Sequence, residues 1–257
     1  ILSGLVGSEM CIRDSHYTRS ICGSNGEDMT YQKLTRDQMA MIAAQDIEEG
    51  SCVNLGIGLP TRIADFVPKD RELFLHSEQG LLGLGPRAAD GEEDPDVVNA
   101  GKQFVTLLPG ASVFSHSDSF LMIRGGHIDI ACLGAFQVSQ KGDLANWSTG
   151  IPDQIPAVGG AMDLAAGAVK VWVLMEHCTK NGRPRLMSKC TYPLTAPRCV
   201  NRIYTDLAVL EIEQEVMKVR RMVAGMTFSQ LQNLTDAPLI LDPNCLVYGL
   251  ATGSEMY

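Results

Sequence analysis

Apolar positions along the chain switch between two periods. Thr35-Arg36-Asp37-Gln38 has the hydroxyl, and the glutamine three residues on, of a capping box. Met39, Ile42, Ala43 and Ile47 then recur at helical spacing, and Gly50 is expected to end that helix. Cys52-Val53-Asn54-Leu55 is short and strand-like, and Gly56-Ile57-Gly58-Leu59 is a glycine loop. Pro60 suits the first turn of a second helix carrying Ile63, Ala64 and Phe66. A strand, a glycine loop and a helix in close succession are an α/β signature.

The apolar run Leu73–Ser77 predicts a buried strand. It ends in one carboxylate, Glu78, followed by a predicted loop with Gly80, Gly83 and Gly85. Residues 86–102 are polar, acidic and turn-rich, and read as a long loop and a candidate partner contact. Phe104–Leu108 predicts another strand. Ile128–Val138 reads as one long buried strand with a bulge at Gly134. Gly159-Gly160 is a turn opening a short helix at Ala161, and Val169–Met175 is a clear strand. Val200–Ile212 holds at least one more, while Met222-Val223 and Phe228–Leu231 precede a last, weak helix. The expected fold is α/β, a single domain with a central, mostly parallel sheet flanked by helices. Residues 1–28 show no period and are expected to be a non-native or disordered extension. The domain is expected over 29–241, with 242–257 an unassigned tail.

Composition narrows the function. A net charge of −9 and a pI of about 5.0 leave no electrostatic footprint for nucleic acid. Lys218, Arg220 and Arg221 form the only basic cluster, read as a solvated helix face. No apolar run approaches the roughly 18 residues that span a bilayer. The cysteines form no CxxC pair, and the first residues lack a secretory pattern, so a disulfide framework is not expected and the cytoplasm is. Cys132, in an apolar run, reads as a small hydrophobe.

Several chemistries fail on their motifs. Gly56-Ile57-Gly58 lacks the third glycine of a dinucleotide fingerprint, since position 61 is Thr61. There is no P-loop and no GxSxG elbow. His16, His76, His116, His127 and His177 lack metal-ligand spacing, so no metal is expected and each histidine reads as structural.

Glu78 remains. From its position alone, a strand-end carboxylate bonded to neighbouring amides is the favoured reading. The alternative is a carboxylate nucleophile, which needs a dry pocket and an oxyanion site. Gly159, Gly160 and Ala161, a glycine turn opening a helix, are candidates for that site, although a plain tight turn explains the glycines equally. Asn54 is a candidate side-chain donor or else a turn asparagine. Gly80, Gly83 and Gly85 offer bare backbone beside the carboxylate.

The residues carry a resemblance. Val53-Asn54-Leu55-Gly56-Ile57-Gly58-Leu59-Pro60-Thr61, Ser77-Glu78-Gln79-Gly80, Gly83-Leu84-Gly85-Pro86, Gly91-Glu92-Glu93-Asp94-Pro95, Arg124-Gly125-Gly126-His127, Gly142-Asp143-Leu144-Ala145-Asn146-Trp147 and Gly159-Gly160-Ala161-Met162-Asp163-Leu164 together resemble the beta subunit of the family I, 3-oxoacid type CoA-transferases. The family usually has Asn where this chain has Gln79. Val98–Gln103 and Pro156–Gly160 look most like the 3-oxoadipate enzymes of aromatic catabolism, with acetoacetate-type relatives close. The resemblance implies a CoA-transferase and sugar-phosphate isomerase-like fold. It implies ping-pong transfer of CoA from succinyl-CoA to a 3-oxo acid through a glutamyl-CoA thioester at Glu78. Gly160 and Ala161 would lie at the oxyanion and Asn54 in the pocket, with Gly80, Gly83 and Gly85 as CoA-binding backbone. It implies a CoA thioester as substrate, no tightly bound cofactor, and a partner alpha subunit in a heterodimer or an A2B2 heterotetramer of two alpha and two beta chains. An acyl-CoA hydrolase using the same glutamate and a non-catalytic ligand-sensing module on the same fold are the competing readings.

Overall fold

The computed structural model describes residues 31–150 and 157–248. The expected extension at 1–28 and the end of the tail, 249–257, lie outside the described residues.

Helix α1 (Arg36–Asp46) starts at Thr35 with both halves of the capping box formed: Gln38 N donates to Thr35 Oγ1 (3.2 Å) and Thr35 N to Gln38 Oε1 (2.8 Å). The helix ends at Asp46, short of Gly50, which instead forms the following turn at φ +78°. Strand β1 (Cys52–Leu55) follows, then Leu59–Phe66, which winds as a 3₁₀ helix with Pro60 in its first turn.

Strand β2 (Phe74–Ser77) leads into a departure from expectation. Gly83 and Gly85 sit inside a strand, β3 (Leu81–Arg87), hairpinned back against β2. They are glycines because β4 (Val105–Val113) crosses too close for a side chain. A Cβ on Gly83 would stand 2.9 Å from Ala111 Cα, and one on Gly85 would overlap Thr106 Oγ1.

Helix α2 (His116–Arg124) has no apolar period to announce it. Its only strong signal is Ser115, whose Oγ accepts from Asp118 N at 3.1 Å. The run Ile128–Val138 is two strands, β5 (Ile130–Leu133) and β6 (Gln137–Ser139), in different sheets; the chain breaks out at Gly134, Ala135 and Phe136. Then come β7 (Leu144–Ala145), α3 (Ala161–Gly167), β8 (Lys170–Leu174), β9 (Leu186–Met187), β10 (Val200–Tyr204), β11 (Ala208–Glu213), β12 (Val216–Val223), α4 (Phe228–Asn233) and β13 (Leu239–Tyr248). Phe228–Leu231 therefore belongs to the last described helix, and a strand follows it. That strand runs through the expected boundary at 241, so residues 242–248 are part of the sheet.

The main sheet has ten strands in the order β13-β12-β11-β10-β8-β5-β1-β2-β3-β4. From β10 to β2 the neighbours are all parallel, and antiparallel hairpins extend this core on both sides. The parallel strands are covered on both faces, which explains their continuous apolar runs. In β5, Ala131 and Leu133 face one core while Ile130 and Cys132 face the other. Helix α1 and the 3₁₀ helix cover the second face, while α3, α4 and a small sheet, β7-β6-β9, cover the first.

The basic cluster is not a helix face. Lys218 and Arg220 lie on β12 and pair with Glu213, Glu211 and Asp242. Arg221 reaches Asp46 at the end of α1 (2.7 Å). Among the described residues the cysteines are free, no helix is long and apolar enough to cross a membrane, and no three His, Cys, Asp or Glu converge on a metal position.

Candidate active site

Glu78 occupies the turn between β2 and β3, at the edge of the parallel core. Four hydrogen bonds hold this turn. Gly80 N donates to Ser77 O (3.0 Å), and Phe114 N to Gly80 O (3.0 Å). His116 Nδ1, at the start of α2, donates to Glu78 O at 3.1 Å. Gln79 Nε2 donates to Val98 O, tying the 88–104 loop beside the carboxylate. The long loop is thus stapled to the turn by the residue at which the chain departs from its family resemblance.

The Glu78 carboxylate is half-buried and points across to the start of α3, where a Cβ on Gly160 would overlap Glu78 Oε2. Gly160 itself has ordinary φ (−79°), so the need for glycine here is spatial. Burial is the largest influence on the Glu78 carboxyl and raises its pKa. His116 opposes that shift and Asp163 adds to it. Asp163 is held by Arg124 across the α2–α3 gap (2.7 Å).

Asn54 ends up close by because β1 pairs in parallel with β2, with Asn54 opposite His76. Asn54 Nδ2 lies 2.9 Å from His76 Nδ1, and His76 Nε2 lies 3.0 Å from Ser119 Oγ on α2. Asn54 Oδ1 is buried with no hydrogen-bond partner among the described residues.

These groups share one cleft of about 900 Å³, lined by Asn54, Glu78, Gly159, Gly160 and Ala161 among others. The structure thus brings together the nucleophile candidate and the residues expected at its oxyanion and pocket. Gly80, Gly83 and Gly85 are not in the cleft wall; the two strand glycines serve the β3–β4 approach instead. Sequence reasoning missed the cations of the wall. Arg36 pairs with Glu176 (2.9 Å), and Arg185 donates to the carbonyls of Ala135 (2.9 Å) and Phe136 (3.1 Å). Lys180 is exposed in the same wall and makes no ion pair among the described residues. Arg36 lies far along the chain from Lys180 and Arg185, so the three form no local motif.

A carboxylate held on this turn, facing bare glycine backbone in a cleft large enough for an acyl thioester, is suited to acyl-group chemistry. The chain belongs to the coenzyme A transferase family, whose model matches residues 36–233. It is 59% identical over 212 residues to the B chain of 3-oxoadipate CoA-transferase of Acinetobacter baylyi, covering 82% of this chain and 98% of that protein. It is 47% identical over 203 residues to the B chain of succinyl-CoA:3-ketoacid coenzyme A transferase of Helicobacter pylori, covering 79% of this chain and 97% of that one. In fold it is similar to glutaconate coenzyme A-transferase of Acidaminococcus fermentans (TM-score 0.63, 17% identity, 85% of this chain and 90% of that chain).

Proposed function

We propose that the chain is the beta subunit of a CoA-transferase that moves CoA from succinyl-CoA to 3-oxoadipate, with Glu78 as the covalent carrier. The observation that carries this is the Glu78 carboxylate lying against Gly160 in the cleft. The similarity to the corresponding chain of 3-oxoadipate CoA-transferase supports the choice of acceptor, and acetoacetate is the alternative acceptor.

The steps balance as an acyl transfer. A Glu78 carboxylate oxygen attacks the thioester carbonyl carbon, the C–S bond breaks, and CoA leaves as thiolate, giving a mixed anhydride of Glu78 and succinate. The thiolate then attacks the Glu78 carbonyl carbon. The C–O bond to succinate breaks, leaving a glutamyl-CoA thioester and free succinate. The acceptor carboxylate repeats these steps in reverse order. Each attack develops an oxyanion, for which the amides at Gly160 and Ala161 and the side chain of Asn54 are the candidate donors. Binding of the CoA body, remote from the carbonyl, helps drive the high-energy anhydride stage.

Lys180 supplies a cation for an anionic end group of the substrates, as a dicarboxylic acyl chain requires. CoA enters as substrate and no tightly held cofactor is needed. The reading includes a cytoplasmic enzyme working with an alpha subunit, in a heterodimer or an A2B2 heterotetramer.

The test is to co-express the chain with its alpha partner, add succinyl-CoA alone, and map the modified residue by mass spectrometry. The expected result is one CoA adduct on Glu78, sensitive to borohydride, and loss of transfer in Glu78→Ala. Transfer that persists with Glu78 unmodified overturns the mechanism. Initial rates with 3-oxoadipate and with acetoacetate decide the acceptor.

A further inference from the structure

Asn54 is 1% exposed, yet its Oδ1 has no partner among the described residues, while its Nδ2 is spent on a histidine nitrogen. A buried unpaired carbonyl oxygen costs on the order of 1–3 kcal/mol. In a cleft whose chemistry centres on carboxylate oxygens, a further bare acceptor is also of the wrong sign. An amide rotated by 180° fills the same volume with donor and acceptor exchanged. Which of the two orientations holds is decided by His76.

His76 is fully buried, and its ring stacks on Phe114 (6.1 Å between centroids, 19° between planes). Burial pushes its pKa down to about 4, so it is neutral at working pH and carries a single ring proton. With that proton on Nε2, His76 donates to Ser119 Oγ and accepts from Asn54 Nδ2, and Oδ1, on a residue that lines the cleft, is left without a partner among the described residues. With the proton on Nδ1, Ser119 donates its hydroxyl to Nε2. His76 then donates to Asn54 Oδ1, and the Asn54 NH2 takes the position of the unpartnered atom on this cleft-lining residue. The second arrangement pairs Asn54 Oδ1 with His76 and turns the amide's donor side toward the place where an oxyanion forms.

We infer that His76 is a positioning residue: held by Ser119 in its Nδ1–H form, it turns the Asn54 amide so that its NH2 donates to the reacting carbonyl oxygen in the Glu78 cleft. This rests on the Glu78 reading above and deepens it. The nucleophile and the side-chain donor are then oriented by adjacent strands, β2 and β1, through a contact that no substrate touches.

The test uses the co-expressed complex. Selective ¹⁵N labelling of histidine and NMR read the protonated nitrogen of His76 directly, and Nδ1–H is expected. His76→Leu is expected to lower kcat on the order of 10- to 100-fold, less than outright loss of an oxyanion donor, with KM for succinyl-CoA unchanged. His76→Asn, which restores an N–H near the Nδ1 position, is expected to recover most of that loss. Ser119→Ala is expected to mix the two tautomers and lower kcat with KM unchanged, and it decides the matter if His76→Leu fails to fold. An Nε2–H ring in the wild type overturns the inference, and so does a His76→Asn no better than a folded His76→Leu. Wild-type complex that forms no adduct on Glu78 overturns the underlying mechanism instead, so the two failures are distinguishable.

Discussion

The carboxylate of Glu78 fills the space that a Cβ on Gly160 would occupy. Phe120 Cζ also lies 2.9 Å from that position, so the site is closed from two sides. Gly160→Ala is therefore expected to displace Glu78 and cut transfer by about two orders of magnitude or more, the loss typical of a misplaced reacting group. Its backbone tolerates alanine, so the urea midpoint should hardly move. Gly159→Ala is the control. Gly159 has φ +56° with nothing within 4 Å of its Cβ position, so alanine there costs about 1 kcal/mol of stability and much less activity. Equal activities for the two variants would rule out the steric account.

Glu78 must be ionised to attack, so kcat/KM of the complex is expected to rise with pH through its raised pKa. His116→Gln removes a charge that lowers this pKa and should move the acid limb to higher pH. Asp163→Asn removes one that raises it and should move the limb to lower pH. Full pH–rate curves of both variants check the signs; limbs that stay put assign the titration to another group.

Lys180→Gln is expected to raise KM for an anionic acyl partner about tenfold, the loss of one exposed charge-assisted contact, with the unfolding midpoint unchanged. Steady-state kinetics with succinyl-CoA and with a neutral acyl-CoA of the same length check it. An equal effect on both would place the lysine on the CoA moiety instead.

Acid sensitivity follows from two buried histidines. The pKa values of His76 and His177 are pushed by burial from 6.5 down to about 4. Between those values the unfolded chain binds more protons than the folded one. Stability is thus fully present above about pH 6.5 and is lost as pH falls toward 4, by about 3 kcal/mol for each histidine at most. Urea midpoints measured across this range should fall with pH. His177→Gln, which removes the titrating ring between Thr205 and Thr235, should flatten about half of the slope.

Asp46 is the anchor between α1 and the far strands. Its side chain is 9% exposed and bonds Tyr204 Oη (3.0 Å), Arg221 (2.7 Å) and Arg202 (3.3 Å). Asp46→Ala removes the only carboxylate on Arg221 among the described residues, while Arg202 keeps Glu211, and is expected to cost about 2 kcal/mol, read by urea unfolding, with the Glu78 adduct still forming in the surviving folded protein.

What the sequence reveals tracks how local the determining physics is. Helix α1 and strands β1 and β8 are legible because a cap or an unbroken apolar run lies within each element. Gly83 and Gly85 misread as loop because the reason for them, the backbone of β4, lies far downstream in the chain. The break at Gly134–Phe136 is hidden because β5 and β6 are both fully buried and merge into one apolar run. Helix α2 presents only Ser119 and Ile123 to the interior, too few for a period to show. Around Glu78, Asn54 and Gly159–Ala161, grouped by resemblance, do share the cleft wall. His76 reads as an ordinary core histidine because its partners, Asn54 and Ser119, meet it only across strand pairing and helix packing.

The turn that carries Glu78 is held by main-chain bonds to Ser77 and Phe114 and by the side chains of Gln79 and His116. The placement of the backbone that carries the carboxylate is consequently a property of the folded chain and not of the bound complex. That backbone's loss of freedom is settled once, when the protein folds, and does not recur as an entropic part of the barrier at every turnover. Any change that loosened this turn would leave the carboxylate present and ionised, and would emerge in kinetics as a more negative activation entropy with little change in activation enthalpy.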